Sequence, residues 1–482
     1  MTLMKENNVK MTNYRWVICF MLFFATTINY LDRQVLSLTW KDFIAPEFYW
    51  TNNDYGTITA LFSIFYAISM LFAGRLVDKL DTKKGFMWAI GVWSFGAILH
   101  AFCGIATSGI LTGHWLVSFG EAKQFISGVD NVAKIVNVSV TLFIFARIVL
   151  AIGESGNFPA AIKATAEFFP KKDRAFATSI FNSGAQIGAL IAPLTVPFIA
   201  KAWGWEMAFI VMGLLGFIWM GFWVFVYKKP EVHPRVSELE LAYIQQDKDE
   251  EIEEIAPVEK KKVTFAQVFK YKQTWAFAFG KFMTDGVWWF YLFWTPAYLS
   301  SVYGMDATES AVPIFILYLI TMLSLVGGWL PTYFVDKKKM HPYAGRMKAM
   351  LIFAFFPLLA LLAQPLGTYS YWLPIIIIGI AGAAHQSWSA NIFSTVGDMF
   401  PKHAVATITG IGGMAGGVGS FLINKGSGAL FDYSEAVGMK FMGFEGIDSG
   451  YFIIFSICAV AYLIGWMVMK LLVPKYKPII DL

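Results

Sequence analysis

Apolar residues come in long runs broken by short polar stretches, and each run is about 20 residues, enough to cross a hydrocarbon core of roughly 30 Å. The runs predict membrane spans near 14–38, 55–77, 85–105, 139–168, 175–200, 206–228, 274–301, 311–334, 347–364, 371–398, 404–424 and 450–473. Twelve spans put both termini on one side. Lys79, Lys83, Lys84, Lys171, Lys172, Arg174 and Lys337 to Lys339 fall in loops on that side, and the opposite loops are poorer in Lys and Arg. A positive-inside bias makes the termini cytoplasmic. The stretch 229–273 is polar and charged and divides six spans from six. The expected organisation is an N-terminal six-helix bundle at 1–228, a cytoplasmic linker at 229–273 and a C-terminal six-helix bundle at 274–482. Ser237 with Glu240 and Thr264 with Gln267 match a helix capping box, so the linker is expected to hold short helices. The pattern gives no account of residues 106–138.

The two halves read as copies. "FFPKKDRAFATSIFNSGAQIG" at 168–188 and "MFPKHAVATITGIGGMAGGVG" at 399–419 share Phe, Pro, Lys, Thr and Gly at a constant offset, which implies a parallel repeat of six spans. Gly184 with Gly188, Gly412 with Gly416, and Gly413 with Gly417 are small-xxx-small pairs that favour close helix packing.

Composition agrees with a polytopic, all-α membrane protein: 57% of residues are hydrophobic and 15% charged, against roughly 25% charged in a soluble domain. The net charge of +5 follows the loop bias and so reports topology, not a nucleic-acid partner. Cys19, Cys103 and Cys458 sit in or at the edge of spans, and no disulfide framework or metal site follows. The N-terminal segment reads as a retained helix, with no small-residue cleavage pattern. Phosphate-loop, nucleophile-elbow and HExxH motifs do not occur, so an enzyme or an ATP-driven pump is not expected, no cofactor is implied, and a gradient must supply the energy.

Charge inside a span is expensive, so it marks a cavity or a pair. Asp32 and Arg33 lie in the first span and Arg147 and Glu154 in the fourth. Arg147 and Glu154, seven apart, share a helix face with a rise of roughly 10 Å between them. The four charges sum to zero. Protonating one carboxylate would leave a positive cavity able to hold an anion, whose presence would retain the proton; the competing reading is a static network of buried salt bridges. Other candidates carry two readings each. Tyr66 is a sugar hydroxyl partner or an interface aromatic, and Asn182 and Gln186 read hydroxyls or join helices. Trp289 and Tyr291, in "TDGVWWFYLFWTP" with Asp285, press on a sugar face or belong to an aromatic belt. The tenth span packs His385, Gln386, Trp388 and Asn391 into "AAHQSWSANIF"; His385 is a proton carrier or a satisfied buried histidine.

At these residues the sequence resembles the major facilitator superfamily over nearly its whole length. "GRLVDKLDTKK" is similar to that superfamily's conformational loop through Gly74, Asp78, Lys83 and Lys84, with Asp81 where the family usually has glycine. "INYLDRQVLSL", "RIVLAIGESGNFPAAIKATAEFFPKKDRA", "FNSGAQIGALIAP", "WWFYLFWTPAYL" and "HQSWSANIFSTVGDMFP" resemble its anion:cation symporter branch, and within it bacterial hexuronate transporters. The resemblance implies two pseudo-symmetric six-helix bundles alternating access around a central site, and proton-coupled uptake of glucuronate or galacturonate. It makes Arg33 and Tyr66 substrate residues, Asp32 and Glu154 proton-coupling carboxylates, and Arg147 the arginine coupled to that glutamate. The glutamine some relatives use in the fifth helix aligns nearest Ala185, beside Gln186. The expected partners are a sugar-acid anion, protons and lipid, for a monomer in the bacterial inner membrane. Na⁺-coupled or exchange transport of an aldonate, another organic anion or phosphate is the alternative, and a non-transporting membrane sensor a third.

Overall fold

A computed structural model describes residues 11–246 and 265–479, and all twelve predicted spans are helical in it. The first span is Tyr14–Thr39, running through a π turn (Trp40–Ile44) into a last turn (Ala45–Phe48). The next five are Asn52–Leu80, Thr82–Thr112, Val132–Phe168, Lys171–Trp203 and Trp205–Val226. The remaining six are Lys272–Tyr303, Ala311–Asp336, Pro342–Gly367, Trp372–Met399, Lys402–Ala436 and Ile447–Leu472. Ten of the twelve are long and apolar enough to cross a membrane. The seventh and eleventh fall short of that apolarity: the seventh carries Lys281 and Asp285, and the eleventh is rich in Gly, Ser and Thr. The face with the termini is called here the near face and the opposite one the far face.

Departures from the apolar pattern occur at the far face. Residues 106–138, which the pattern left open, extend the third span to Thr112, form a helix at Phe119–Ser127 and start the fourth span at Val132. Ser118 and Glu121 close a capping box on that helix. A two-stranded antiparallel hairpin, Lys440–Phe441 with Phe444–Glu445, precedes the twelfth span, with Lys440 opposite Glu445. At the near face, one residue joins the second and third spans. That residue is Asp81, whose φ of 70° and ψ of 154° lie in a region glycine favours, in keeping with the glycine that the resemblance leads one to expect at this position. The side chain of Asp78 lies outside the described residues.

The linker does more than fill a gap. Ser237 accepts a hydrogen bond from the Glu240 N–H at 3.2 Å and caps Glu238–Gln245, as the capping box predicts. Glu240 does not close that box. Its buried carboxylate turns to the start of the first span, accepting from the Tyr14 and Arg15 N–H groups at 3.0 Å each, the Arg15 guanidinium at 3.0 Å and the Thr12 hydroxyl at 2.6 Å. A carboxylate at a helix N-terminus meets free N–H donors and the positive end of the dipole. Thr264 lies outside the described residues. Glu240→Ala leaves Arg15 buried without this partner, a loss of about 3 to 5 kcal/mol. The expected result is a clearly lowered unfolding temperature in detergent; a melt matching wild type would refute the role.

Glycines bring the helices close. Gly184 and Gly188 of the fifth span lie on the backbone of the first at Phe23 and Thr27. On the eleventh span the two glycine pairs face different neighbours: Gly412 and Gly416 abut Phe277 and Asp285 of the seventh span, Gly413 and Gly417 abut Met70 and Ala67 of the second. The bundles therefore meet along the second and eleventh spans, where a larger side chain would force them apart.

A polar clasp joins the bundles at the far face. Asp432 accepts from the Asn52 N–H (3.0 Å), the Asn52 side chain (2.9 Å) and the Asn53 N–H (2.8 Å), capping the second span from the opposite bundle. Lys425 donates to Asn53 and Thr57 at 2.7 Å each, Ser300 donates to Asp42 at 3.0 Å, and Lys201 pairs with Asp306 at 3.1 Å. The Thr308 hydroxyl and the Glu309 N–H hold the Asp306 carboxyl down to about 2. This contribution is present above the ordinary carboxylate range and is lost only as pH falls toward 2.

Candidate functional site

Beneath the clasp lies an aromatic layer. Trp40 stacks on Tyr55 with ring centres 4.1 Å apart and planes 4° from parallel, and both meet Trp294 of the seventh span edge-on. The Tyr55 hydroxyl donates to the Phe293 carbonyl at 2.8 Å, and Phe62 packs against Phe293 and Trp289. On the near side of this layer is a cavity of about 280 Å³ between the bundles, close to the low end of the roughly 300 to 1,000 Å³ of small-molecule sites. Tyr30, Arg33, Ser63, Tyr66, Met70 and Phe158 line it from the N-terminal bundle, and Lys281, Asp285, Trp288, Trp289, His385, Gln386, Ser389 and Phe393 from the other. Met70, Phe158, Lys281 and Phe393 lie toward the near ends of their spans, so the cavity extends that way from a sealed far face.

Arg33 is the centre of the wall. Its guanidinium carbon stands 4.9 Å from the Tyr30 ring, 4.8 Å from Tyr66 and 5.3 Å from Trp289. Such faces attract a cation when water is excluded. Nε and Nη2 of Arg33 both donate to one oxygen of Glu154, at 3.0 and 2.8 Å. Glu154 is fully buried, and its other oxygen has no hydrogen-bond partner among the described residues. Directly after it the fourth span breaks at Ser155 and Gly156, before a second helix from Asn157 to Phe168.

Asp32 and Arg147 lie behind the wall. Both are buried and within electrostatic range of Arg33 and Glu154. Arg147 sits over the Phe62 ring at 5.2 Å. Both Asp32 oxygens, Nε and Nη1 of Arg147, and the amides of Asn29 and Asn157 have no hydrogen-bond partner among the described residues. Buried polar atoms are rarely left so, and this cluster, among charged groups inside membrane spans, is a candidate for handling protons or charge.

The opposite wall holds a pair that the sequence reading missed. Lys281 and Asp285, one turn apart on the seventh span, bond at 2.7 Å, and the Lys281 ammonium lies 4.2 Å from the Phe393 ring centre. The i, i+4 spacing of a base and an acid inside an apolar span was the available signal. His385 stacks on Trp288, planes 3° apart, and its Nδ1 meets the Tyr462 hydroxyl at 2.7 Å.

Of the residues expected at the site, Arg33, Tyr66, Trp289, His385 and Gln386 line the cavity, and Asp32, Arg147 and Glu154 form the buried layer behind Arg33. The others do not line it. Tyr291 is two residues from Trp289, about 200° round the helix, and lies against Cys458 of the twelfth span. Trp388 stands in the same relation to Gln386 and is buried edge-on against Tyr462. Asn391 donates to the Gly327 carbonyl at 2.9 Å, joining the tenth span to the eighth. Asn182 is exposed and Gln186 half-buried, because Gly184 and Gly188 set the face the fifth span turns to the first. Gly74 lies in the second span, where a Cβ would meet nothing.

Known proteins bear on this arrangement. The Major Facilitator Superfamily model matches residues 22–424. The Hexuronate transporter of Escherichia coli (strain K12) is 27% identical over 428 residues, covering 88% of this chain and 89% of that protein. The Probable galactarate/D-glucarate transporter GarP of the same strain is 27% identical over 338 residues, 69% of each. The crystal structure of a bacterial homolog to the human lysosomal transporter Spinster, in an inward-facing and occupied conformation, superposes with a TM-score of 0.67 at 17% identity, covering 96% of this chain and 97% of that one. Twelve membrane-length helices in two bundles, a charged cavity between them and this match agree: the chain belongs to the Major Facilitator Superfamily and is a membrane transport protein, not an enzyme.

Proposed function

We propose that the protein takes up a sugar-acid anion, a hexuronate such as glucuronate or galacturonate, together with a proton. The carrying observation is Arg33, boxed by three aromatic rings in the cavity and held by the buried Glu154. With Glu154 ionised, the pair is neutral and the arginine is occupied. Protonating Glu154 frees the guanidinium fork, which a substrate carboxylate then takes by two parallel hydrogen bonds. Binding of the anion keeps the proton in place, and return of the site to the unloaded state releases both. Asp32, beside Arg33 and near Arg147, serves as the second proton-handling carboxylate. Tyr66 and Trp289 offer faces to a sugar ring, and Ser63, His385 and Gln386 offer groups for its hydroxyls. The Hexuronate transporter's likeness supports the substrate class.

Alternating access follows from this division. The bundles 1–228 and 274–482, joined by the linker 229–273, rock about the site, and the near end of the second span, with Gly74 and Asp78, takes part in the change. The Lys-rich near face is cytoplasmic, so the described state opens inward, and the protein works as a monomer in the bacterial cytoplasmic membrane.

Proteoliposomes test the reading. Radiolabelled glucuronate or galacturonate is expected to accumulate under an imposed inward proton gradient, and a protonophore is expected to collapse that accumulation. Uptake that follows Na⁺ and ignores pH would overturn the proton coupling. No accumulation of either hexuronate would overturn the substrate.

A further inference from the structure

We infer that the Lys281–Asp285 pair reads the uncharged, hydroxylated end of the substrate and turns away a second carboxylate, making the site selective for monocarboxylate over dicarboxylate sugar acids. The inference rests on the reading above, in which Arg33 takes the substrate's carboxylate. Percentage identity does not decide between these classes, since a hexuronate transporter and a probable galactarate/D-glucarate transporter are each 27% identical to the chain, over 428 and 338 residues. The cavity wall does.

Arg33 and Lys281 are the two cationic side chains lining the cavity among the described residues, one from each bundle. If both were open, the site would suit an anion at each end. Lys281 is not open. Asp285 holds its ammonium at 2.7 Å and Phe393 lies 4.2 Å to one side, so the pair is neutral and fixed. Asp285 is the more accessible member, with 16% of its side chain exposed against 5% for Lys281. A ligand end reaching this wall therefore meets a carboxylate first.

A hydroxyl suits such a wall. Asp285 accepts from one hydroxyl, and the ammonium donors not used on Asp285 reach a neighbouring one. A second ligand carboxylate instead faces a like charge against a protein wall, where repulsion is stronger than in bulk solvent. This is the repulsive element that discrimination between close analogues requires. The fold also fixes where the carboxylate stands. Gly416 of the eleventh span passes against Asp285 so closely that a Cβ there would overlap it, and Gly412 does the same at Phe277. The small-residue face of the eleventh span thus seats the acid and limits its rotamers.

The test is competition in counterflow. Proteoliposomes carrying wild type exchange labelled glucuronate, and unlabelled glucuronate and glucarate are titrated as competitors. In wild type, glucarate is expected to compete at least about tenfold more weakly, a difference of ~1.4 kcal/mol. In Asp285→Asn the like charge is gone while the shape remains, and the ratio of the two half-inhibitory concentrations is expected to fall by about tenfold. Because the readout is a ratio, reduced activity of the variant does not obscure it. Equal potency of the two competitors in wild type would overturn the inference and leave the hexuronate reading intact, whatever the variant's folding. An unchanged ratio in a monodisperse Asp285→Asn or Asp285→Ser protein would overturn it too. Absence of any glucuronate counterflow in wild type would instead sink the functional reading, and this inference with it.

Discussion

Arg33→Ala is expected to abolish both gradient-driven uptake and counterflow, with sugar-acid binding weakened by at least about 100-fold. A hydrogen bond to a charged group contributes about 1.5 to 3 kcal/mol, and the guanidinium supplies two to one carboxylate, so their loss reaches that factor. The aromatic box deepens the effect, because Tyr30, Tyr66 and Trp289 all direct their faces to the cation and have nothing of like charge to hold afterwards. Glu154 is then left buried without its hydrogen-bonded partner, with Arg147 the remaining cation in its electrostatic range. Arg33→Lys keeps the charge without the fork and is expected to fall between the two. Labelled-substrate counterflow, with size-exclusion profiles to confirm folding, checks the series. Counterflow near the wild-type rate in monodisperse Arg33→Ala would remove Arg33 from the site.

Glu154→Gln separates binding from coupling. The amide has the carboxylate's shape and can still accept from Arg33, but it carries no charge and takes no proton. Arg33 then behaves as it does beside a permanently protonated Glu154. Counterflow is expected to persist and to lose its pH dependence, while gradient-driven accumulation falls to simple equilibration of substrate across the membrane. The measurement is the ratio of internal to external substrate at steady state under a proton gradient, taken beside counterflow on the same vesicles. Accumulation equal to wild type would show that the proton travels elsewhere, with Asp32 the next carboxylate to test.

Much of this was legible before any coordinates. A bilayer leaves the backbone no solvent partner, so each apolar run had to become a helix of membrane length, and the twelve runs did. Asp32, Arg33, Arg147 and Glu154 stood out for the complementary reason that charge in such a run needs a purpose. Helical phase was harder. In the tenth span polar and apolar residues are spread round the helix, so nothing in its pattern says that His385 and Gln386 turn to the cavity while Trp388 and Asn391 turn to neighbouring helices. The helix at Phe119–Ser127 carries a Ser118 and Glu121 capping signature, but it is too short and too polar to show in a pattern of membrane-length apolar runs. Lys281 was obscured by its surroundings: near the start of a span a lysine reads as a snorkelling anchor, and only the packing of Asp285 and Phe393 against it shows that it is enclosed.

The stacked Trp40 and Tyr55, closed over by Trp294, give the protein an optical property as well as a seal. Both indoles are fully buried, and each belongs to a different bundle. In the proposed cycle, parting of the far face separates them and exposes them to water, which shifts indole emission to longer wavelength. Opening of the far face is thus expected to register in the intrinsic fluorescence as the change made by two of the chain's eighteen tryptophans, without an attached label.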